Sequence, residues 1–334
     1  STYQDKGYIF SSVTPEVTPA GKDSLDVKFV FNEGNKVYVE NIFVSGNEKT
    51  RENVIRRELK LYPGDVFSRS KLMRSQRDIW ILNYFDNVIP DVTPISDDKV
   101  NLDFVVEEKK STQRINANLG FTGEYGITGG AGVEFDNFRG KGQKLNIGAS
   151  TGTNFSIYTT QEPSKYRSLN ISFQDPMIND SPYLVGASIF YSFRGSSTNY
   201  YFPLDFTVGG AVASFGRRLE WPDDFFRVMW SAKFMQKEYE GSQSDIDNYI
   251  GGLQKTRGIS LSQVLSRDSR NRAEFPTNGS TFILENTYSG GFLGGNENFQ
   301  KHMLTLDWFT PTFSKFVLYN SVKLGVIKTI DVGD

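Results

Sequence analysis

The chain has no cysteine and a single histidine, His302, among its 334 residues. Without cysteine there is neither a disulfide framework nor a thiolate metal site. One histidine leaves ordinary zinc sites without donors. Any Ser-His-Asp or Ser-His-Asn arrangement would have to use His302. That residue reads instead as an exposed interface histidine, at a strand start and in register with Leu304, Leu306 and Trp308. No phosphate loop or dinucleotide fingerprint occurs, and no cofactor is implied. Asp245 and Asp247 suggest calcium at first sight. The fifth, sixth and twelfth places of such a loop hold Tyr249, Ile250 and Thr256, so the segment reads as a solvated loop. No run of 18 apolar residues exists, which excludes a membrane-spanning helix. Neither sign of charge dominates: 37 basic against 39 acidic residues give a net charge of −2, which argues against nucleic acid. Ser1-Thr2-Tyr3-Gln4 carries no signal peptide.

What is abundant is aromatic residues, at 14%, and glycine, at 31 residues. The first third contains a gapless repeat with an offset of 75 residues. Phe10 to Pro19 aligns with Phe85 to Pro94, and Leu25 to Glu33 with Val100 to Glu108. Such a period means tandem copies of one small module. The second copy reads in full over 35–109. Its opening strand, Val37 to Val44, changes apolar phase near Glu40-Asn41 and predicts a bulge there. Gly46-Asn47 makes a turn, and Thr50 caps a short helix running to about Leu59. Pro63-Gly64-Asp65 breaks that helix. Ser68 or Ser70 caps a second helix, with Leu72, Ile79, Leu82 and Phe85 on one face. Strands near 88–92 and 100–106 complete a β-α-α-β-β order. The first copy, 1–34, holds only the last two strands, which predicts an N-terminal truncation.

After Lys110 helical periodicity gives way to alternation of period two. About eleven strands are expected, near 112–122, 127–137, 143–153, 165–174, 183–194, 208–218, 225–238, 256–266, 279–288, 301–309 and 315–327. Their connections alternate between short and long, the fairly long 267–278 being an exception on the short side. The Gly-rich stretches Gly126 to Gly132 and Gly290 to Gly295 are placed at connections. Strands of about ten residues with this loop pattern point to a transmembrane antiparallel β-barrel rather than a soluble sandwich. Tyr183, Trp221, Phe225, Phe309 and Phe316 suit interfacial girdles. Asp268, Arg270, Arg272 and Glu274 read as a salt-bridged periplasmic turn. An odd strand number cannot close a bacterial barrel, so residues 110–334 are expected to be the N-terminal part of one.

Val39 to Thr50, Ile55-Arg56-Arg57-Glu58-Leu59, Pro63-Gly64-Asp65 and Asn83-Tyr84-Phe85 resemble a polypeptide-transport-associated (POTRA) module. Asn137 to Gln143, Phe173-Gln174-Asp175-Pro176, Arg267 to Arg270 and Phe275 to Ser280 resemble successive barrel turns of the outer-membrane protein assembly factors, the BamA family. That family has sixteen strands, of which this chain would hold eleven. Its Val-Arg-Gly-Phe/Tyr loop is not in this chain and would lie beyond it. The resemblance implies a non-enzymatic role: folding and inserting barrel proteins into the bacterial outer membrane, with the modules in the periplasm. Implied partners are unfolded outer-membrane proteins, outer-membrane lipid and accessory lipoproteins. The first barrel strand, Thr112, Gln113, Arg114, Ile115, Asn116, Ala117, Asn118, Leu119 and Gly120, would then pair substrate strands at a lateral seam by β-augmentation. Gly120 would ease opening. The alternative reading is a translocation pore of the two-partner type.

Overall fold

A computed structural model describes residues 2–20, 24–122, 126–153, 165–196, 202–272 and 275–330. They form two compact units that divide at Lys110/Ser111.

In the first unit, α1 (Thr2–Asp5) precedes a two-stranded antiparallel sheet of β1 (Ser12–Pro19) and β2 (Leu25–Asn32). Then follow β3 (Tyr38–Ser45), α2 (Glu52–Arg56), α3 (Arg69–Ile81), β4 (Phe85–Ser96) and β5 (Lys99–Glu108). The last three strands make a sheet of order β3-β5-β4, with β3 parallel and β4 antiparallel to β5. The repeat is legible in the hydrogen-bond register. Thr14–Val30, Pro15–Phe29 and Val17–Val27 recur 75 residues on as Ile89–Val105, Pro90–Phe104 and Val92–Leu102. Pro90 and Pro94 are tolerated because β4 is an edge strand, where a missing N–H breaks no second ladder.

One apolar core holds this module. Val54 and Ile55 of α2 and Leu72 and Ile79 of α3 are buried with Val100, Leu102, Phe104 and Val106 of β5. The register of β3 shifts between Val39 and Asn41, so Val39 and Ile42 both reach the core; this is the expected bulge. Ser68 caps α3 by accepting from Lys71 N–H. Asp5 supplements that cap from the preceding segment, its carboxylate accepting the Ser70 N–H at 2.7 Å. This hydrogen bond holds the Asp5 carboxyl below the ordinary aspartate range.

Two local expectations fail here. The residue before α2 is Arg51, which makes no side-chain cap, and the helix stops at Arg56 rather than Leu59. Thr50 is engaged elsewhere: its N–H donates to Glu108 Oε1 at 2.6 Å, and its carbonyl accepts from Asn47 Nδ2 at 3.0 Å. The turn motif is therefore tied to the end of β5 instead of capping a helix.

Glu108 also accepts the Lys49 N–H at 2.8 Å. Burial pushes its carboxyl up, but hydrogen bonds from the Thr50 hydroxyl and the Lys49, Thr50 and Glu48 amides outweigh that and hold it below the usual glutamate range. Because the folded pKa lies below the unfolded one, the stabilisation is present above the ordinary glutamate pKa of about 4.3 and is lost as pH falls through the folded value. A Glu108→Gln variant should therefore be less stable than wild type at pH 7, with the gap in midpoint temperature closing on acidification. A gap that does not change with pH would rule the linkage out.

The second unit is one 11-stranded antiparallel sheet in strict sequence order. Its strands are β6 (Gln113–Thr122), β7 (Gly126–Phe138), β8 (Gln143–Thr153), β9 (Lys165–Asp175), β10 (Tyr183–Arg194) and β11 (Asp205–Arg218). They continue with β12 (Phe226–Glu240), β13 (Lys255–Asp268), β14 (Gly279–Ser289), β15 (Phe299–Pro311) and β16 (Val317–Thr329). Two further expectations are corrected. Gly126 to Gly132 lie inside β7, not at a connection. The connection 239–255, Asp245 and Asp247 included, contains α4 (Gln243–Ile250), capped by Ser242 and closed by Gly251 in the left-handed region. Its eight residues, about two turns with Ile246 buried, are too few to stand out against the alternation around them.

Cross-strand register shows that the alternation is coherent. Ile115, Val133, Ile147, Ile171, Ile189, Ala211, Phe234 and Ile259 face one another in succession across β6 to β13. The opposite face is lined by Asn, Ser and Gly. There Ser150 and Ser168 hydroxyls lie 2.6 Å apart, and Asn170 Nδ2 donates to Asn146 Oδ1 at 3.1 Å. An apolar exposed face and a hydrogen-bonded polar face are the outside and lumen of a membrane barrel. Among the described residues no helix is long and apolar enough to cross a membrane.

Candidate functional site, the first strand of the sheet

The strand is short, at 10 residues, and bound on one side only among the described residues, where it pairs with β7. Thr112 lies just before it. Gln113, Arg114, Ile115, Asn116, Ala117, Asn118, Leu119 and Gly120 lie within it. Ile115, Leu119 and Phe121 are 78%, 83% and 79% exposed, so the apolar face packs on no protein.

Side chains contribute little to holding β6 on β7. Asn116, Asn118 and Leu119 stand opposite Gly132, Gly130 and Gly129. Glycine gives a cross-strand neighbour nothing to pack against. Asn118 lies over Gly130, whose space for a Cβ is filled by the Asn118 Oδ1. The strong contact is at the start. Arg114 Nη2 donates to Glu134 Oε1 at 3.0 Å and lies 3.0 Å from Asp136 Oδ2, with Asp136 almost buried. The strand is thus anchored near Thr112 and loosely held towards Gly120. This anchor was not singled out from the sequence. Opposite charges in positions that face each other across a hairpin are the signal that carries it.

Backbone polarity follows from one bond. Asp136 N–H donates to Thr112 O at 3.3 Å. Antiparallel ladders alternate bonded and non-bonded pairs. Arg114, Asn116 and Asn118 therefore spend their N–H and C=O on β7, whereas Ile115, Ala117 and Leu119 turn theirs to the free edge.

The other candidate residues are not brought to this strand. His302 is on β15, exposed, with its Nδ1 2.8 Å from Asn286 Oδ1. Arg270 pairs with Asp268 at 2.7 Å in the connection after β13, and Glu274 lies outside the described residues. No cluster of His, Asp or Glu able to hold a metal ion occurs among the described residues.

Residues 137–333 match the Omp85 superfamily domain, and residues 37–109 match the POTRA family described as a surface antigen variable number repeat. The outer membrane protein assembly factor BamA of Nitratidesulfovibrio vulgaris is 27% identical over 343 residues, covering 99% of this chain and 40% of that protein. The BamA of Neisseria meningitidis serogroup B is 35% identical over 147 residues, covering 43% of this chain and 18% of its own length. The chain thus spans less than half of these relatives. Among solved structures, Haemophilus ducreyi BamA lacking POTRA domains 1–3 superposes with a TM-score of 0.66 at 19% identity, over 98% of this chain and 62% of that one. CdiB from Acinetobacter baumannii superposes with a TM-score of 0.55 at 16% identity, over 98% and 58%. At such identities the superpositions speak for the fold.

Proposed function

Because this chain belongs to the Omp85 superfamily, we propose that it acts in folding β-barrel proteins and inserting them into the outer membrane, with incoming strands pairing along the free edge of β6. The chain resides in the bacterial outer membrane, with its N-terminal modules in the periplasm. In this reading residues 1–34 are the second half of one POTRA module, 35–109 a complete module, and 110–334 the first eleven strands of a sixteen-stranded barrel. The partners are unfolded outer-membrane proteins, outer-membrane lipid and accessory lipoproteins of an assembly complex. The role is carried by backbone and needs no catalytic side chain.

The observation that supports it best is the unequal holding of β6. A strand facing lipid must have its polar backbone paired, since each unpaired group there costs several kcal/mol. An edge whose residues Ile115, Ala117 and Leu119 turn their amides away from β7 will pair with whatever strand is offered. The glycines opposite let β6 shift to receive it. Arg114, held by Glu134 and Asp136, keeps its base in place.

The alternation makes a test with an internal control. Ala117→Pro removes an N–H from the free edge and leaves the β7 ladder whole. It should stop assembly of a reporter barrel protein in reconstituted vesicles while the variant still folds. Asn116→Pro removes a bond to β7 and should instead impair folding of the variant itself. The companion measurement uses paired cysteines joining Ala117 to the closing strand of the whole protein. Since this chain supplies no cysteine of its own, it adds no competing thiol. Oxidation should block assembly and reduction restore it. Full assembly through a locked seam would refute the proposal, and a translocated substrate with no inserted product would favour the pore.

A further inference from the structure

We infer that the lipid-facing side of β13 to β15 carries a binding site for the sugar headgroup of a lipid in the outer leaflet. The apolar face is interrupted at one place. Leu265, Leu284, Leu304 and Leu324 face one another across β13 to β16, as the face requires. One row further along, Gln263, Asn286 and His302 face one another instead, between Trp230 and Val326 at the row's ends. Three hydrogen-bonding side chains placed against hydrocarbon are costly unless they are satisfied.

They satisfy one another in part. Asn286 Nδ2 donates to Gln263 Oε1 at 3.3 Å, and His302 Nδ1 lies 2.8 Å from Asn286 Oδ1. An amide oxygen only accepts, so Nδ1 carries the proton and Nε2 of the neutral ring is an acceptor. The Gln263 amide N–H groups and His302 Nε2 have no hydrogen-bond partner in the protein among the described residues. They border a recess of about 330 Å³ that Trp230, Tyr288 and Gln300 also line.

The chemistry selects the ligand. Donor and acceptor stand side by side with aromatic rings at the rim. A phosphodiester offers acceptors alone and would confront the lone pair of Nε2. A sugar hydroxyl both donates and accepts, and sugar C–H faces pack on aromatic rings. The recess opens to lipid, so the sugar must be lipid-linked, its chains lying along the leucine row. Depth agrees. β6 leaves the periplasmic modules, and the strands alternate from there, so β14 ends and β15 begins on the outer side. Asn286 is three residues from the end of β14 at Ser289, and His302 three from the start of β15 at Phe299. On β14 and β15, at roughly 3.3 Å per residue, this is about 10 Å below the hairpin end, near the headgroup level, while Gln263, eight residues from the start of β13 at Lys255, lies deeper.

The test uses the whole protein in detergent and native mass spectrometry. Glucosyl diacylglycerol is compared with phosphatidylglycerol of the same acyl chains. Wild type should retain the glucosyl lipid preferentially. The Gln263→Leu/Asn286→Leu/His302→Leu variant, whose leucines suit a lipid-facing wall, should retain it roughly tenfold less, as loss of two or so neutral hydrogen bonds implies. Its retention of phosphatidylglycerol should be unchanged. Should the triple variant fold poorly, Asn286→Leu alone serves the same comparison. Equal retention of the glucosyl lipid by wild type and variant, or equal retention of both lipids by wild type, would overturn the inference.

Discussion

Replacing Gly46 with alanine is expected to cost the POTRA module about 3 kcal/mol or more, enough to unfold much of it. Gly46 has a φ of +86°, and a Cβ there would sit 1.9 Å from the Val106 carbonyl oxygen. That oxygen belongs to β5, the central strand of the sheet, so it cannot retreat without breaking the ladders to β3 and β4. The turn has a second attachment through Thr50, Lys49 and Glu108, which holds it against β5 from the other side. Gly64 is the control. Its φ is +92°, but a Cβ would meet nothing within 4 Å. Gly64→Ala should cost only the left-handed backbone penalty of about 1–2 kcal/mol. Hydrogen exchange at Val100, Leu102 and Phe104, read in the intact protein, would measure both. Protection lost in the Gly46 variant and kept in the Gly64 variant is the expected result. Similar losses in the two would mean that backbone strain, not the approach to Val106, sets the requirement.

The second large effect concerns which face meets lipid. Ile189 lies in the middle of β10, 56% exposed, within the apolar row running from Ile115 to Ile259. Its neighbour Ser188 faces the other way, opposite Ser172 and Val212. Ile189→Arg should destabilise the barrel by about 2–4 kcal/mol, the cost of a cation near the middle of the hydrocarbon. Ser188→Arg adds the same charge one residue away but points it into the lumen, where water receives it. Its cost should be within about 1 kcal/mol. Urea unfolding of the whole protein in lipid vesicles separates the two. A Ser188 variant as damaged as the Ile189 variant would invert the assignment of faces.

How much of this was legible in the sequence differs by element. The strands of the second unit were, to within a few residues, because a residue's face is fixed by its place in the alternation and every second side chain meets lipid. The bulge at Val39/Asn41 was legible for the same reason, since a phase slip in the pattern is a phase slip in the strand. The start of α3 at Ser68 was legible too, but the ends of α2 were not. Thr50 has the right chemistry for an N-cap, but Glu108, distant in sequence, engages its hydroxyl as well as its amide. A competing acceptor brought in by the sheet is invisible to a local pattern. The helix α4 was missed because eight residues carry too little periodicity to compete with the strands on either side.

The same division holds at the first strand. Its position and its apolar face, from Ile115 to Phe121, could be read directly. Its uneven attachment could not. That needed the register that sets Asn116, Asn118 and Leu119 against glycines and Arg114 against Glu134, and glycines in a row read from sequence alone as a turn. By itself the sequence determined periodicity, and with it the repeat, the class of each unit and the facing of each side chain. Tertiary structure decided which residues stand opposite one another. Long-range partners such as Thr50 and Glu108, or Gln263, Asn286 and His302, are set by chain closure over tens of residues, and local preferences carry no record of that.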